Sequence, residues 1–527
     1  MRLMTCRSIG TLCAAACLCF VPSAHAQQVP WARPDTPVSS RDRVYAANQT
    51  SNTVSVVDPS TNTLLGVIRL GDPVPAALSP LYAGQLLVHG LGYSPDGKML
   101  AVVSIASNSV ALIDTATNKV AKIIYVGRAP HEAFFTPDGR ELWVTVRGED
   151  YISVIDPVKM TEVRRVTLAN GPGMAMFGPD GKYAFVCSSF TAELAVIDAA
   201  SHQVVKRVPQ SSPFCPNIAV SPENDEVWIT LKDVGKVQVY SAKPPFGQLA
   251  LLDTGPITNH VNLVNNRNGK FAYVTIGGLN EVKVFRRGSP PQLVATIPVG
   301  SLPHGVWPSG DGSRIYVALE NGVQAAVIDT LINRVIANMP IGQTTQALVY
   351  VPNAVPSGAG TDNLVPLGEA GKTASLHLEG VGSAAQRMQG WVAVNSLGLL
   401  DLVQIAAEGL APKAQYQVYL SASSQPPFGK LEPLAVLKTN PDGAGIVQAV
   451  GPLKTLVGGS GSAADGSPRR FLIVSEMRDA SQVLLRQSPS NSCYGLGHSE
   501  EIVAPHVRRG RRRAARGIGS TRRSRRP

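Results

Sequence analysis

Apolar and polar positions alternate in short runs along most of this chain. Six of these runs follow a turn of one kind: YSPDGKMLAVV, FTPDGRELWVT, FGPDGKYAFVC, VSPENDEVWIT, VNNRNGKFAYVT and PSGDGSRIYVAL. Period-two alternation marks a strand whose two faces pack differently. In the turns, Pro presets φ, Asp bonds back to the backbone and Gly supplies a positive φ. A second apolar run follows each, ending in Asp in VALIDTATN, ISVIDPVKM, LAVIDAASH and AAVIDTLIN and degenerate in VQVYSAKPP and VKVFRRGSP; VSVVDPSTN, ahead of the first turn, is one more copy. A third run comes after it, as in VAKIIYVG and VIANMPIG.

These elements recur at a fixed interval. Asp114, Asp156 and Asp198 are each 42 residues apart, and Asp198 to Asp329 spans three more steps. The first step, from Asp58 to Asp114, is lengthened by an insertion near ALSPLYAGQLL. Four short strands (a, b, c, d) in about 43 residues make the unit of a β-propeller blade. The repeat opens at RVYAANQ, a b strand with no a strand before it, and closes on QALVYVPN, a lone a-like strand. The last strand therefore completes the first blade, giving seven blades. Closure removes the open sheet edges that invite aggregation.

VYAANQTSNTVSVVDPSTN and FAYVTIGGLNEVKVF resemble the YVTN-type propeller repeat of exported bacterial and archaeal surface-layer proteins. The resemblance covers residues 43–353 and implies the fold. Function does not follow from it, because propellers host enzymes, redox proteins and binding scaffolds alike.

Outside the repeat the pattern changes. Residues 354–368 are rich in Pro, Gly and polar residues and read as a linker. Residues 369–487 carry short strand-like runs with no 43-residue period, which predicts a small β-sandwich-like domain with an accessory role in docking or spacing. Residues 1–26 read as a signal peptide: Arg2 and Arg7, an apolar stretch too short to span a membrane, then Ala24-His25-Ala26 before Gln27. This predicts an all-β protein exported to the periplasm or cell surface, with no membrane span in the mature chain, and a monomer.

The net charge of +11 changes this picture little. Residues 508–527 hold ten Arg and no acid, which accounts for all but one unit of that charge. Residues 488–527 read as a disordered Arg-rich tail. The folded part is nearly neutral and offers no broad basic field for nucleic acid, so only the tail is suited to a polyanion. Cys187, Cys215 and Cys493 lie beyond the leader. Cys187 and Cys215 fall at neighbouring strand ends and form either one disulfide or two buried thiols.

The candidate chemistry lies at one repeat position. His89, His131 and His304 each stand eight residues before the turn Gly, and His260 stands nine before Gly269. Gly173, Pro216 and Gln346 hold the matching places in other blades. Strand a lies nearest the propeller axis, so its first residues line one mouth of the central channel. His89, His131, His260, His304 and Gln346, with Arg128 nearby, are the candidate ligand-binding residues. The first reading is a binding scaffold that presents this mouth to a protein or small-molecule ligand. The second is a metal- or cofactor-linked oxidoreductase, because imidazole suits transition metals such as copper. A His ring at the axis resembles the copper- and haem-bearing propellers of respiratory reductases. The third is a lactonase- or lyase-type enzyme using Arg128, Arg147, Glu320 or Glu132, although alternation should turn Glu132 into the sheet stack or away from the axis if His131 faces it. The bland alternative is that His fixes the loop entering strand a.

Overall fold

The computed structural model describes residues 37–70, 86–367, 373–382, 386–396, 400–451, 453, 456 and 468–488. The leader, the Arg-rich tail and most of the expected insertion lie outside the described residues, as does most of VGGSGSAADGSPRR, a stretch whose composition reads as a flexible loop. Seven four-stranded antiparallel sheets follow one another from Arg43 to Val351. Blade 1 is ordered Thr345–Val351, Arg43–Asn48, Thr53–Asp58, Thr63–Arg69, so the last propeller strand does pair with the first. Blades 2 to 7 begin at Val88, Pro130, Pro172, Ile218, Thr258 and Pro303. Side chains reinforce the closure. Asp42 accepts hydrogen bonds from Tyr350 Oη and, at 2.8 Å, from the Asn353 amide.

The turns form as their residues dictate. In blade 2, Asp96 accepts from the Ser94 hydroxyl at 2.7 Å, and Gly97 sits at φ 72°. Between strands c and d, Asp114 accepts from the Thr117 amide at 2.8 Å and Asn118 takes φ 56°. The three inner strands of each blade are buried on both faces against neighbouring blades, as in PHEAFF and LWVTV of blade 3. The outer strand is mostly exposed, which is why it carries charges such as Arg164 and Arg165. Cys187, at the end of strand b of blade 4, is disulfide-bonded to Cys215, which precedes blade 5. Both are fully buried.

The second β-rich region is a single eight-stranded antiparallel sheet. Its order is Leu431–Lys438, Gln415–Ser421, Phe471–Glu476, Val483–Gln487, Thr373–Gly380, Gln389–Ser396, Asp401–Glu408, Gly445–Gly451. The first and last of these strands come together, so the sheet curls into a nearly closed barrel where a sandwich would have two separate sheets. Its walls share one core that includes Leu378, Val403, Val418, Leu472 and Leu485. The barrel packs on the propeller through Ala406 and Ala444, which meet Ile257 and Leu302. Gln404 of the barrel donates to Glu320 Oε1 at 2.7 Å and to Asn321 Oδ1 at 2.9 Å. Among the described residues, no helix is long and apolar enough to cross a membrane.

Candidate functional site

At the start of strand a, the pairing with strand b slips by one residue. In blade 3, Pro130 faces Val146 and Ala133 faces Val144, so His131 and Glu132 together oppose Thr145. The same bulge occurs in blades 2, 6 and 7. A bulge breaks the alternation of side chains and re-aims them. Glu132 points into the stack between blades 2 and 3: its Oε1 lies 3.7 Å from His89 Nδ1, and it is 3% exposed.

Glycine makes room for it. A β-carbon on Gly90 would stand 2.5 Å from Glu132 Oε2 and 2.2 Å from the His131 carbonyl oxygen. A β-carbon on Gly305 would stand 2.6 Å from the Gln346 carbonyl oxygen. The His-Gly pairs at 89–90 and 304–305 thus have a structural reason: the next blade's backbone approaches too closely for a side chain.

The four histidines stand in two pairs. The rings of His89 and His131 are 4.4 Å apart, and those of His260 and His304 are 4.5 Å apart. All four are buried. His260 is, however, one place out of register. Ile257, Leu302 and Ala129 take the same left-handed backbone two residues before Asn259, His304 and His131. Thr230, Thr275 and Thr145 donate to the carbonyls of Asn259, His304 and Gly173 at 2.6, 2.7 and 2.8 Å. Asn259 therefore holds the His position in blade 6, and His260 holds the position of Glu132. Blade 6 has a differently built a–b turn, so counting back from its Gly misleads by one.

Two imidazoles also tie blades together. His131 Nδ1 donates to the Gly173 carbonyl at 2.7 Å, and His304 Nδ1 donates to the Gln346 carbonyl at 2.8 Å. A carbonyl can only accept, so in both rings Nε2 keeps its lone pair.

A second ring of side chains lies just behind. The residue following each b strand is Gln49, Ile105, Arg147, Ser189, Lys232, Gly277 or Glu320, in blade order. Four of these, Gln49, Ile105, Arg147 and Lys232, line a cavity of about 260 Å³ together with His89, His131, His304 and Gln346. Leu402 and Gln448 of the barrel complete its lining, so the accessory domain roofs the channel mouth. Gln448 also donates to Gln404 Oε1 at 2.5 Å. Arg128 does not belong here. It is exposed, donates to the Gly148 carbonyl at 2.5 Å and lies 3.6 Å from Glu149. Its place on the loop before Pro130 points it along the rim.

Burial governs the charge states. It lowers the His89 and His260 pKa values to about 3, with Arg147 adding to the effect on His89 and His89 itself adding to it on His260. His131 and His304 are also held well below the usual imidazole value, chiefly by burial. Glu132 is pushed up to about 8 by burial, against the pull of Arg147. His89 and Glu132 stand within ion-pair distance, yet burial favours the neutral form of each. Burial also lowers Lys232 and Arg147. Among the described residues, neither cation has a hydrogen bond or a carboxylate within 4 Å.

Arg147, Glu320 and Glu132 were legible as candidates; Lys232, Asn259, Gln404 and Gln448 were missed. The missed ring has a sequence signal. Arg147 and Glu320 stand eight residues after the turn Gly, and Lys232 stands eight after Asn224, which takes the same left-handed turn position. Nothing in the sequence marks Gln404 or Gln448.

Residues 94–217 match the YNCE-like beta-propeller family. No curated protein matches the chain. A functionally unknown protein from Desulfotomaculum acetoxidans superposes with a TM-score of 0.50 at 13% identity, covering 58% of this chain and 98% of that one. Kuenenia stuttgartiensis hydrazine synthase gives 0.48 at 21% identity, over 56% and 94% of the two chains. The Pseudomonas aeruginosa periplasmic gluconolactonase PpgL gives 0.47 at 17% identity, over 59% and 99%. At 13% identity the likeness to the Desulfotomaculum protein is one of fold. The repeat, the seven blades and the match over residues 94–217 fit a YVTN-type β-propeller repeat protein.

Proposed function

We propose that this protein is a binding propeller of the periplasm or cell surface that takes a small anionic molecule, such as a carboxylate, in its roofed chamber. The observation that carries this is the pair Arg147 and Lys232, two cations facing one 260 Å³ cavity without a carboxylate in contact. Desolvated cations held ready in this way bind an anion without first having to break a partner's ion pair. The cavity lies near the low end of small-molecule sites, about 300–1,000 Å³, which limits the ligand to a compact molecule. Gln49, Thr50, Gln346 and Gln448 add neutral hydrogen-bonding groups around it. The Cys187–Cys215 disulfide and residues 1–26 support export, since disulfides persist in oxidising compartments.

Calorimetry with a panel of small mono- and dicarboxylates tests the binding. We expect a member of the panel to bind and the Arg147→Ala, Lys232→Ala double variant to bind it at least tenfold more weakly, as losing charge-assisted hydrogen bonds worth about 1.5–3 kcal/mol requires. No binding by wild type, or equal binding by the double variant, refutes it. N-terminal sequencing of the protein from a periplasmic fraction tests export: a start at Gln27 is expected, and retention in the cytoplasm with an intact Met1 refutes it.

A further inference from the structure

We propose that His89, His131 and Glu132 form a three-ligand site for one divalent transition-metal ion in the wall of the chamber. The proposal stands on ligand geometry and is independent of the anion reading.

The three side chains are each no more than 3% exposed, and their ligand atoms lie within 4.8 Å of one another. The nitrogen and oxygen lone pairs can be assigned. His131 spends its Nδ1 proton on the Gly173 carbonyl at 2.7 Å, so Nε2 is its ligand atom. The ring of His89 has the Gln346 side chain as its hydrogen-bond partner. Its Nδ1 has none, so the partnered nitrogen is Nε2. Gln346 gives one of its two amide hydrogens to Glu320 Oε1 at 2.7 Å, which turns its amide toward Glu320, and its Oε1 is the group that accepts from His89 Nε2. The unpartnered His89 Nδ1 therefore presents a lone pair to Glu132 Oε1, 3.7 Å away. Two ligands bonded to one tetrahedral ion at about 2.0–2.2 Å sit roughly 3.4 Å apart, so a small side-chain adjustment seats the metal.

Every ligand has its own outer partner: Gly173 for His131, Gln346 for His89, and the Leu91 amide for Glu132. Such partners fix ring orientation and tautomer in metal sites. The notch left by Gly90 admits the Glu132 carboxylate and nothing larger could replace that glycine without moving it. Two imidazoles and one carboxylate suit zinc, iron(II) or cobalt(II) and disfavour calcium and magnesium, which take oxygen ligands. Three protein ligands leave at least one coordination position open, and two of the three, His89 and His131, line the chamber. His260 and His304 form the other imidazole pair and are not part of this set.

The test is a titration of the EDTA-treated full chain with Zn²⁺ by calorimetry and with Co²⁺ by visible absorption. We expect one equivalent of metal and a cobalt ligand-field spectrum with nitrogen coordination. Glu132→Gln and His131→Ala should each weaken Zn²⁺ binding at least tenfold. His131→Ala also loses a contact between blades, so circular dichroism must show it folded; Glu132→Gln keeps its shape and carries the test if it is not. No stoichiometric metal on wild type, or unchanged affinity in folded Glu132→Gln, overturns the proposal. The Arg147→Ala, Lys232→Ala variant should lose the carboxylate and keep its equivalent of Zn²⁺, so either proposal can fail alone.

Discussion

Replacing Gly90 with alanine adds one carbon where the fold has no room for it. Its backbone φ is ordinary, so the argument rests on space alone. The added atom would stand 2.2 Å from the His131 carbonyl oxygen, 2.5 Å from Glu132 Oε2 and 2.8 Å from the Glu132 Cα. Normal contact is about 3.5–4.0 Å. The carboxylate can swing aside, but the carbonyl and Cα belong to strand a of blade 3 and cannot move without disturbing its pairing. Overpacking of this kind costs about 1–3 kcal/mol. Restricting the unfolded chain returns only about 0.4–1 kcal/mol. Gly247 is the matched control, because a β-carbon there meets nothing within 4 Å. Gly305→Ala should fall between the two, since its nearest atom is at 2.6 Å. The assay is urea unfolding followed by tryptophan fluorescence. We expect Gly90→Ala to be the least stable and Gly247→Ala to match or slightly exceed wild type. Because Glu132 must move, Gly90→Ala should also weaken Zn²⁺ binding at least tenfold. If Gly90→Ala and Gly247→Ala agree within about 0.5 kcal/mol, the spread of neutral surface changes, the packing argument is wrong.

Removing the disulfide by Cys187→Ala with Cys215→Ala releases a 28-residue loop in the unfolded chain, and chain entropy puts the loss at about 3–4 kcal/mol, measurable by urea unfolding under non-reducing conditions. The folded-state pKa values of His89 and His260 are lowered, so their unfolded forms bind protons first; stability is held above about pH 6.5 and falls as pH drops toward about 3, which urea midpoints between pH 7 and 4 will show. Gln404→Ala strips one donor from buried Glu320 and one from Asn321, at a cost of about 1–3 kcal/mol, and loosens the roof; faster ligand release in stopped flow is expected, and an unchanged off-rate refutes the roof.

The sequence by itself determined the propeller. Turn residues and period-two alternation are local signals, and repetition at 42 residues multiplies them until blade number and closure can be counted. It also placed His89, His131 and His304, because a repeat holds such a position at a constant distance from its turn. The tertiary structure decided what local counting cannot reach. Packing between blades set Glu132 against His89, and the differently built a–b turn of blade 6 put Asn259 where His260 was expected. Arg128, one loop residue away from the mouth, took the rim, while Arg147 and Lys232 reached the cavity from the far end of strand b. The barrel's nonrepeating pattern gave strands without a partner order, so neither its near closure nor its place over the channel could be read along the chain. Those outcomes depend on contacts between blades and between distant segments, such as Gln404 with Glu320, 84 residues apart, and packing at that range leaves no periodic trace in the sequence.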